Sequence, residues 1–341
     1  MHYDVTIGIP VYQAEDYIRK MMESALAQAY PNIEYLLIDD GSSDKSTDII
    51  QEIKSAHPRG TDIHLLSHSH NQGVSKTRNQ IIDEAQGEYL YFMDADDIIS
   101  DNAISLLVQK AKEYNADIVF GSYEKVELSG EHSIYQYPEL LFEGLDDLSN
   151  FAYRKYFGIQ ASACNFLVKL SVVREKEIRF MDSKFWEDTV FVLELVTYIQ
   201  RAVLLPNITY TYLCRFHSLT DIKPYEIIEK KEIIHYFEAV EQLKQRKQQL
   251  ANKAYYPGRC YIAVMSDFYI ICNIMKRWKY ISPAFNFQEL KNYMKHPASI
   301  LEILSFKDRK LQNLMLYILG KLPSTICLQL IKIVGKRKGL I

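Results

Sequence analysis

The sequence predicts an α/β fold in which a mostly parallel central sheet is flanked by helices and followed by an all-helical C-terminal module. Strand and helix signals alternate at short spacing through the first 120 residues, and polar clusters follow three of the strands. Beyond Pro224 only helical spacing remains. Apolar strands that alternate with helices are typical of a parallel sheet covered on both faces, whereas an uninterrupted helical pattern indicates a separate module.

The first elements follow from short runs of β-branched and aliphatic residues separated by amphipathic segments. Tyr17, Met21 and Ala25, for example, recur at helical spacing. The predicted order is strand 5–10, helix 16–28, strand 35–38, helix 43–54, strand 63–66, helix 75–85, strand 89–93 and helix 103–115.

After residue 117 the pattern loosens, and the helical module begins near residue 225. The predicted elements are strands 118–126 and 133–137, a helix at 145–156, a strand at 165–169, a helix from Trp186, and strands 202–205 and 209–215. The helices that follow are 225–250, 254–277, 287–293 and 311–334, with breaks at Pro257-Gly258, Ser282-Pro283 and Pro323.

Length and charge divide the chain in two. At 341 residues it is about twice the usual size of one domain, so we expect an α/β domain at 1–220 and a helical module at 221–341. The net charge of −3 conceals an asymmetry: residues 1–220 carry 19 Lys and Arg against 33 Asp and Glu, whereas 221–341 carry 21 against 10. An acidic module is therefore joined to a basic one.

The cysteine pattern and the N-terminus favour a cytoplasmic protein. The five cysteines form no CxxC pair, which predicts free thiols in a reducing compartment. The first residues enter a strand directly, so we expect no signal peptide. The longest apolar stretch, 261–275, is interrupted by Asp267, and we therefore expect no membrane-spanning helix.

Carboxylates follow two of the predicted strands, at the edge where ligands bind in parallel sheets. Asp94-Ala95-Asp96-Asp97 can share Mg²⁺ or Mn²⁺ that holds a diphosphate, or Asp97 or Asp101 can simply cap the next helix. Asp39-Asp40-Gly41-Ser42 can recognise a nucleobase and ribose, act as a phosphoacceptor, or form only a strand-to-helix turn.

Three further positions carry candidate chemistry. Arg78 lies between the two acidic clusters, where it either pairs with a surface carboxylate or counters the acidic pocket and contacts a phosphate. Trp186-Glu187-Asp188 starts a helix and offers either capping charge or a general base. His217 lies in a polar turn, which favours a ligand role.

Several function classes are disfavoured by motifs that the sequence lacks. There is no GxGxxG fingerprint, Walker loop, HExxH or nucleophile elbow, which argues against dinucleotide oxidoreductases, P-loop enzymes, zincins and α/β-hydrolases. Basic residues are not interleaved with aromatic residues on one face, so we expect no nucleic-acid partner.

Taken in order, the motifs resemble family 2 glycosyltransferases of the GT-A fold over residues 4 to about 218. The matching segments are Ile7-Gly8-Ile9-Pro10-Val11-Tyr12, the Tyr17-Ile18 helix start, Tyr30-Pro31-Asn32-Ile33-Glu34, Ile38-Asp39-Asp40-Gly41-Ser42, Asn71-x-Gly73, Ala85-x-Gly87-Glu88-Tyr89, Phe92-x-Asp94-Ala95-Asp96-Asp97 and Trp186-Glu187-Asp188. Thr77 departs from the Ala that often precedes the Arg-Asn pair, which puts nothing central in doubt.

The resemblance implies a role for each matching position. Nucleotide-sugar contacts would come from Pro10, Val11, Tyr12, Glu15, Asp39, Arg78, Asp94, Ala95, Trp186 and Glu187. Asp39 would read the uracil, Asp94 would lie near the ribose, and Asp96 with Asp94 would hold Mn²⁺ or Mg²⁺. His217 would be a further metal or diphosphate contact. Asp188 matches the catalytic base.

The resemblance also implies a reaction. A hexose or N-acetylhexosamine would pass from a UDP-sugar to a hydroxyl of a cell-surface, capsular or protein-linked glycan, with inversion in one displacement. The alternative is a non-catalytic sugar-nucleotide-binding or partner subunit on the same fold. A nucleotidyltransferase is disfavoured because no glycine-rich, lysine-containing loop follows the first strand.

The C-terminal end is basic and partly apolar. Residues 301–341 carry 8 Lys and Arg against 2 Asp and Glu, with Lys336-Arg337-Lys338 next to the apolar stretch 326–334. Such an end predicts peripheral association with the inner face of the cell membrane, which would suit a lipid-linked acceptor. A solvated basic face and a homodimer surface are the alternatives.

Overall fold

The chain forms two compact units in a computed structural model that describes residues 3–154, 158–183, 186–215, 227–245 and 247–341. Unit 1 comprises Met1–Leu148, Ser162–Asp182 and Glu194–Asp221. Unit 2 comprises Ser149–Ala161, Ser183–Leu193 and Ile222–Ile341. The sequence analysis drew one boundary at residue 220, whereas two short segments before that point belong to unit 2.

The packing of Tyr153 explains why residues 149–161 belong to unit 2. Its ring stacks on Tyr255 at a centroid distance of 5.5 Å. Its hydroxyl donates to the carbonyl of Leu193 over 2.7 Å, and its own carbonyl lies so close to Gly258 that a Cβ there would be 2.5 Å away. This buried aromatic side chain therefore makes its contacts within unit 2.

The strands of unit 1 form one sheet in the order β3-β2-β1-β4-β9-β6-β10-β5, with β7 on β6 and β8 on β10. Their bounds are β1 Tyr3–Val11, β2 Ile33–Asp39, β3 Ile63–Ser67, β4 Gly87–Phe92, β5 Ile98–Ile99, β6 Ile118–Val126, β7 His132–Tyr135, β8 Leu140–Phe142, β9 Phe166–Lys169 and β10 Ala202–Leu213.

The helices in this part of the chain follow the predicted order, apart from a short helix at 170–175 that the sequence did not predict. They are α1 Ile18–Leu26, α2 Ser46–Ala56, α3 Val74–Glu84, α4 Ala103–Glu113, α5 Asp147–Arg154, α6 Leu170–Glu175 and α7 Glu187–Leu195. Of these, α3 packs on β1 and β2, and α4 packs on β6 and β9.

The first four strands of the sheet are parallel, as predicted, and they are apolar because both faces are covered. Ile7, Leu37 and Leu90 are completely buried. At Gly8 a Cβ would stand 2.3 Å from the side chain of Ile81, so the missing side chain lets α3 approach β1 closely. The α/β fold class of the sequence analysis is confirmed.

The other half of the sheet is mixed. β9 runs antiparallel to both β4 and β6, whereas β6 and β10 are parallel. The two strands predicted between residues 202 and 215 are one strand, β10, with shifts of register between Leu204 and Tyr210. The parallel pattern therefore holds for β3-β2-β1-β4 and not for the whole sheet.

Unit 2 is largely helical. The remaining elements are the short strands β11 Ile228–Glu229 and β12 Ile281–Ser282, and the helices α8 Lys230–Gln245, α9 Lys247–Leu250, α10 Tyr256–Lys276, α11 Phe287–Tyr293, α12 Ile300–Ser305, α13 Lys310–Lys321 and α14 Ser324–Arg337. The parallel pairing of β11 with β12 corrects the expectation that strands end before Pro224.

The centre of unit 2 is α10, which packs against α8, α13 and α14. Asp267, the residue that interrupts its apolar sequence, is completely buried and forms an ion pair with Lys244 of α8 at 2.7 Å. Along the described residues no helix is long and apolar enough to cross a membrane.

Candidate active site

The ends of four strands, β1 to β4, meet at one edge of the parallel half of the sheet. Val11 at the end of β1 is in register with Asp39 at the end of β2, and Asp39 is in register with Ser67 at the end of β3. On the other side of β1, Gly8 pairs with Phe92 at the end of β4, which leads directly to Asp94. The sequence analysis predicted this convergence for β1, β2 and β4.

Asp39 lies at the wall of a cleft of about 450 Å³. Its carboxylate is buried and accepts hydrogen bonds from the backbone N–H of Ser42 at 3.2 and 3.4 Å. The rest of the wall comes from the turn after β2, from α2 and from the end of β3; it consists of Gly41, Ser42, Thr47, Asp48, Gln51, Leu65, Ser67, His68 and Ser69.

Asp40 has a different task from Asp39, because it fixes the loop after β3. One of its oxygens accepts from the N–H of Gln72 and the other from the N–H of Gly73, each at 2.8 Å. His68 Nδ1 lies 2.7 Å from Asp40, and its Nε2 lies 2.6 Å from Gln80. Burial lowers the pKa of His68, but these two hydrogen bonds outweigh it and raise the pKa above 6.5.

Arg78 pairs with the acidic edge, which is one of the two alternatives that the sequence left open. Its Nη2 donates to Asp94 Oδ1 over 2.9 Å, and its guanidinium lies 5.4 Å from the ring centroid of Phe180. The side chain is only 6% exposed. Arg78 therefore counters the charge of Asp94.

Asp96 is paired with a second guanidinium, that of Arg215. Arg215 also lies 5.1 Å from the ring centroid of Tyr17. Burial and the neighbouring Asp94 raise the pKa of Asp96 to about 6, although Arg215 opposes them. Ala95, between the two aspartates, is buried.

Asp97 ties the loop after β4 to β10 and does not cap α4. Its carboxylate accepts from the hydroxyl of Tyr210 at 2.6 Å and from the N–H of Leu213 at 2.9 Å. The Tyr210 oxygen in turn accepts from the N–H of Asp94 over 3.2 Å. Asn102 holds the N-cap position of α4 without a side-chain cap, so the capping role considered for Asp97 and Asp101 is wrong.

The last residues of β1 and those that follow it line the same edge in part. Val11 is buried, Pro10 is half-buried and Tyr12 is 48% exposed. Glu15 is exposed, and its carboxylate accepts from the N–H of Lys45 over 3.0 Å, which attaches it to the start of α2.

Trp186, Glu187 and Asp188 lie in unit 2. Trp186 has a positive φ of 61° and its ring contacts Tyr236 edge-on at 5.8 Å. Glu187 and Asp188 occupy the first turn of α7, where the helix dipole favours acidic groups. Asp188 Oδ1 accepts from the N–H of Thr189 over 2.6 Å. His217 lies outside the described residues.

The edge fits a divalent cation. Asp94 and Asp96 each already hold a cationic guanidinium group, so both carboxylates lie in positions that attract positive charge. Carboxylate oxygens suit Mn²⁺ or Mg²⁺, which retain water or phosphate oxygens as further ligands. Within the described ranges no group of three or more His, Cys, Asp or Glu side chains is placed to hold a metal.

Sequence reasoning missed His68, Tyr210 and Arg215 as parts of this edge. His68 follows β3, so the rule that parallel strand ends converge could have identified it. Tyr210 and Arg215 come from β10 and the residue shortly after it, more than 110 positions from Asp97, and no local pattern indicates such a contact.

Comparison with known sequences identifies relatives of this chain. Residues 6–174 match the family described as Glycosyl transferase family 2. Glycosyltransferase GlyA of Streptococcus pneumoniae is 30% identical over 227 residues, which cover 64% of this chain and 32% of that protein. Cholesterol galactosyltransferase of Borreliella burgdorferi is 24% identical over 355 residues, with 93% of this chain and 96% of that protein covered.

Coverage of the relatives is uneven. The matches span only 32, 38 and 49% of the length of three curated relatives, all described as glycosyltransferases. Among solved structures, S. aureus TarS 1-349 in complex with UDP-GlcNAc has a TM-score of 0.67 and 15% identity, and the match covers 99% of this chain and 92% of that one. This likeness supports the fold.

Proposed function

We propose that this chain, which belongs to glycosyl transferase family 2, transfers a sugar from a UDP-sugar to a hydroxyl group of a bacterial cell-surface glycan. The observation that carries the proposal is the acidic edge, where Asp39 ends β2 and Asp94 and Asp96 follow β4, the two strands that pair with β1 in parallel. A UDP-sugar donor is further supported by the TarS structure, which was determined with UDP-GlcNAc.

The donor would lie along this edge. Asp39 at the cleft wall can accept a hydrogen bond from the uracil N–H, and the ring of Tyr12, which follows the buried Val11 and is 48% exposed, can contact the base. Arg78 can contact the diphosphate, since guanidinium groups bind phosphate oxygens through paired hydrogen bonds. A divalent cation on Asp94 and Asp96 would stabilise the negative charge of the leaving diphosphate.

The acceptor hydroxyl would be activated by Asp188. A carboxylate can take the proton of a hydroxyl as the oxygen attacks the anomeric carbon. Attack from the face opposite the leaving UDP breaks the bond between the sugar and the diphosphate in one displacement and inverts the anomeric configuration. An α-linked donor would then give a β-glycoside. Trp186 and Glu187, which precede Asp188, would contact the sugar.

We place the reaction in the cytoplasm, with a glycan that is carried on lipid or protein as the acceptor. All five cysteines are free thiols, which suits a reducing compartment.

The proposal is tested by a donor screen on the full chain. UDP-glucose, UDP-galactose and their two N-acetylated counterparts are incubated with and without Mn²⁺ and a cell-envelope glycan extract, and UDP release and product mass are measured. We expect one donor to release UDP in a metal-dependent way and to add one hexose or N-acetylhexosamine mass to the acceptor.

Two variants sharpen this test. Asp96→Asn should remove the metal-dependent release, whereas Asp101→Asn makes the same chemical change on an exposed residue a few positions away and should retain it. If UDP-sugars bind to the wild-type chain and no UDP is released with any donor or acceptor, the chain is a non-catalytic sugar-nucleotide-binding subunit.

A further inference from the structure

Three helices at the C-terminal end of unit 2 expose rows of large apolar side chains. On α12, Leu301 and Leu304 are 77 and 50% exposed. On α13, Leu311, Met315 and Ile318 recur at intervals of four and three residues with exposures of 67, 63 and 50%. Residues at these intervals lie on one side of a helix. Each helix therefore presents an apolar row to its surroundings.

The same pattern continues on α14. Ile326, Leu330 and Ile333 are exposed at intervals of four and three residues, with Val334 beside them. We call the exposed apolar side chains of α12, α13 and α14 the apolar face. Such rows on three successive helices are more than the scattered exposed apolar residues that any monomer's surface carries.

The opposite sides of α13 and α14 already pack on α10, so the apolar face is not the side of these helices that contacts the core. Leu316 of α13 and Leu328 and Ile331 of α14 are buried. Both helices pack on α10, and Gly335 of α14 approaches α10 so closely that a Cβ would lie 2.9 Å from Cys272 Sγ. α13 and α14 also contact each other, and α12 contacts α13.

Exposed cations accompany the apolar face. They are Lys307, Lys310, Lys321, Lys332, Lys336, Arg337 and Lys338. Residues 301–341 contain two acidic groups in all, and both have partners: Glu302 completes the capping box at Ser299, and Asp308 lies 3.9 Å from Arg154. The surroundings of the apolar face therefore have a strong positive charge.

We propose that the apolar face binds the surface of an anionic lipid bilayer, with the apolar side chains in the interfacial layer and the lysines on the headgroups. Apolar burial and attraction between lysines and anionic headgroups both favour this occupant. Across a two-fold interface, a second copy would instead bring seven exposed cations against seven others. The proposal is independent of glycosyl transfer, because it needs neither nucleotide nor acceptor.

The test is co-sedimentation of the full-length chain with vesicles in the absence of nucleotide and metal. One vesicle is phosphatidylcholine alone and the other contains phosphatidylglycerol in addition. We expect the chain to sediment with the anionic vesicles, to remain in the supernatant with the neutral ones, and to be released as salt is raised, because salt screens the headgroup charge.

Two double variants separate the apolar from the charged contribution. Leu311→Gln/Met315→Gln should weaken binding roughly tenfold or more, since two large side chains leave the interface. Lys332→Gln/Lys336→Gln should weaken it roughly tenfold, because each lysine near an anionic surface contributes to attraction. All four residues are exposed, so we expect these variants to fold.

Matched controls make the same changes elsewhere. Ile134→Gln alters an apolar residue of unit 1 that is 59% exposed, and Lys20→Gln/Lys176→Gln removes two exposed lysines of unit 1. The proposal is overturned if these controls lose as much binding as the face variants, or if neutral and anionic vesicles bind alike or not at all. It is also overturned if light scattering shows a dimer that Leu311→Gln/Met315→Gln dissociates, since a second copy would then cover the face.

Discussion

At the scale of single residues, the candidate site is an arrangement of charges that compensate one another. Asp94 pairs with Arg78 and Asp96 with Arg215, while Asp97 bonds to Tyr210 and to the backbone of Leu213. The aspartates that directly follow β4 therefore have distinct tasks. Asp94 and Asp96 present carboxylate oxygens that can exchange a guanidinium partner for a metal ion, whereas Asp97 holds the loop after β4 in place.

Replacing Arg215 by Met should strengthen Mn²⁺ binding in the absence of nucleotide. The guanidinium occupies the carboxylate of Asp96, so its removal frees that ligand and lowers the local positive charge; we expect the affinity to rise roughly tenfold, about the worth of one charged hydrogen bond. Isothermal titration calorimetry measures the change.

Arg19→Met is the matched control for Arg215→Met, because it breaks an ion pair between Arg19 and Glu52 on the surface, 2.9 Å long, without touching the edge. Its Mn²⁺ affinity should equal that of the wild type. An unchanged or weaker affinity in Arg215→Met would show that the arginine does not compete with metal at Asp96.

The titration of His68 should depend on Asp40. Because its pKa is raised above 6.5 in the folded chain, His68 contributes stability that is fully present below pH 6.5 and is lost as the pH rises through the raised value. Asp40→Asn removes the carboxylate that lies 2.7 Å from Nδ1, and the pKa of His68 should fall. Histidine NMR titrations measure it.

Glu124→Gln is the control for the histidine titration, since Glu124 pairs with the exposed His132 in unit 1 at the same distance of 2.7 Å. It should leave the resonance of His68 unchanged. A pKa of His68 that is the same in Asp40→Asn and in the wild type would contradict the assignment of the shift to Asp40.

At the scale of helices and strands, the sequence predicts best those elements that depend on residues close together in the chain. The parallel strands β1 to β4 and the convergence of their ends follow from alternating patterns and from the rule on strand ends. The antiparallel partners of β9, the continuous β10 and the short β5 and β8 depend on pairings between distant residues. The link from Asp97 to Tyr210 spans 113 positions, and it has no signal in either segment alone.

The buried ion pair between α8 and α10 should contribute more to the free energy of unfolding than ion pairs on the surface do. Lys244→Met leaves the completely buried Asp267 without its cationic partner, so its carboxyl group must either stay charged in an apolar interior or take up a proton. We expect a loss of about 3–5 kcal/mol in the free energy of unfolding. The double variant Lys244→Met/Asp267→Leu should recover most of this loss, because both charges are then gone.

Tryptophan fluorescence in urea measures these losses in unit 2, since both tryptophans, Trp186 and Trp278, lie there. Lys230→Met is the control: Lys230 pairs with the more exposed Glu289 at 2.8 Å, and its loss should be about 1 kcal/mol or less. Equal losses in Lys244→Met and Lys230→Met would show that burial does not govern the strength of these pairs.

At the scale of the whole molecule, the charge asymmetry of the sequence corresponds to two units with different surfaces. The acidic edge lies in unit 1, and the basic apolar face lies in unit 2. A single boundary at residue 220 could not capture the segments 149–161 and 183–193, because their membership in unit 2 depends on contacts such as that of Tyr153 with Tyr255. The motif Trp186-Glu187-Asp188 is consequently part of unit 2 even though it precedes that boundary.

The central claim is that the chain transfers a sugar with Asp188 of unit 2 as the base. Its most direct test is the rate of transfer by Asp188→Asn, measured beside UDP-sugar binding by calorimetry, with Glu187→Gln as the neighbouring control. We predict that transfer by Asp188→Asn falls by about a hundredfold or more while donor binding stays close to that of the wild type, and that Glu187→Gln retains more of the activity. Transfer at the wild-type rate by Asp188→Asn would contradict the account.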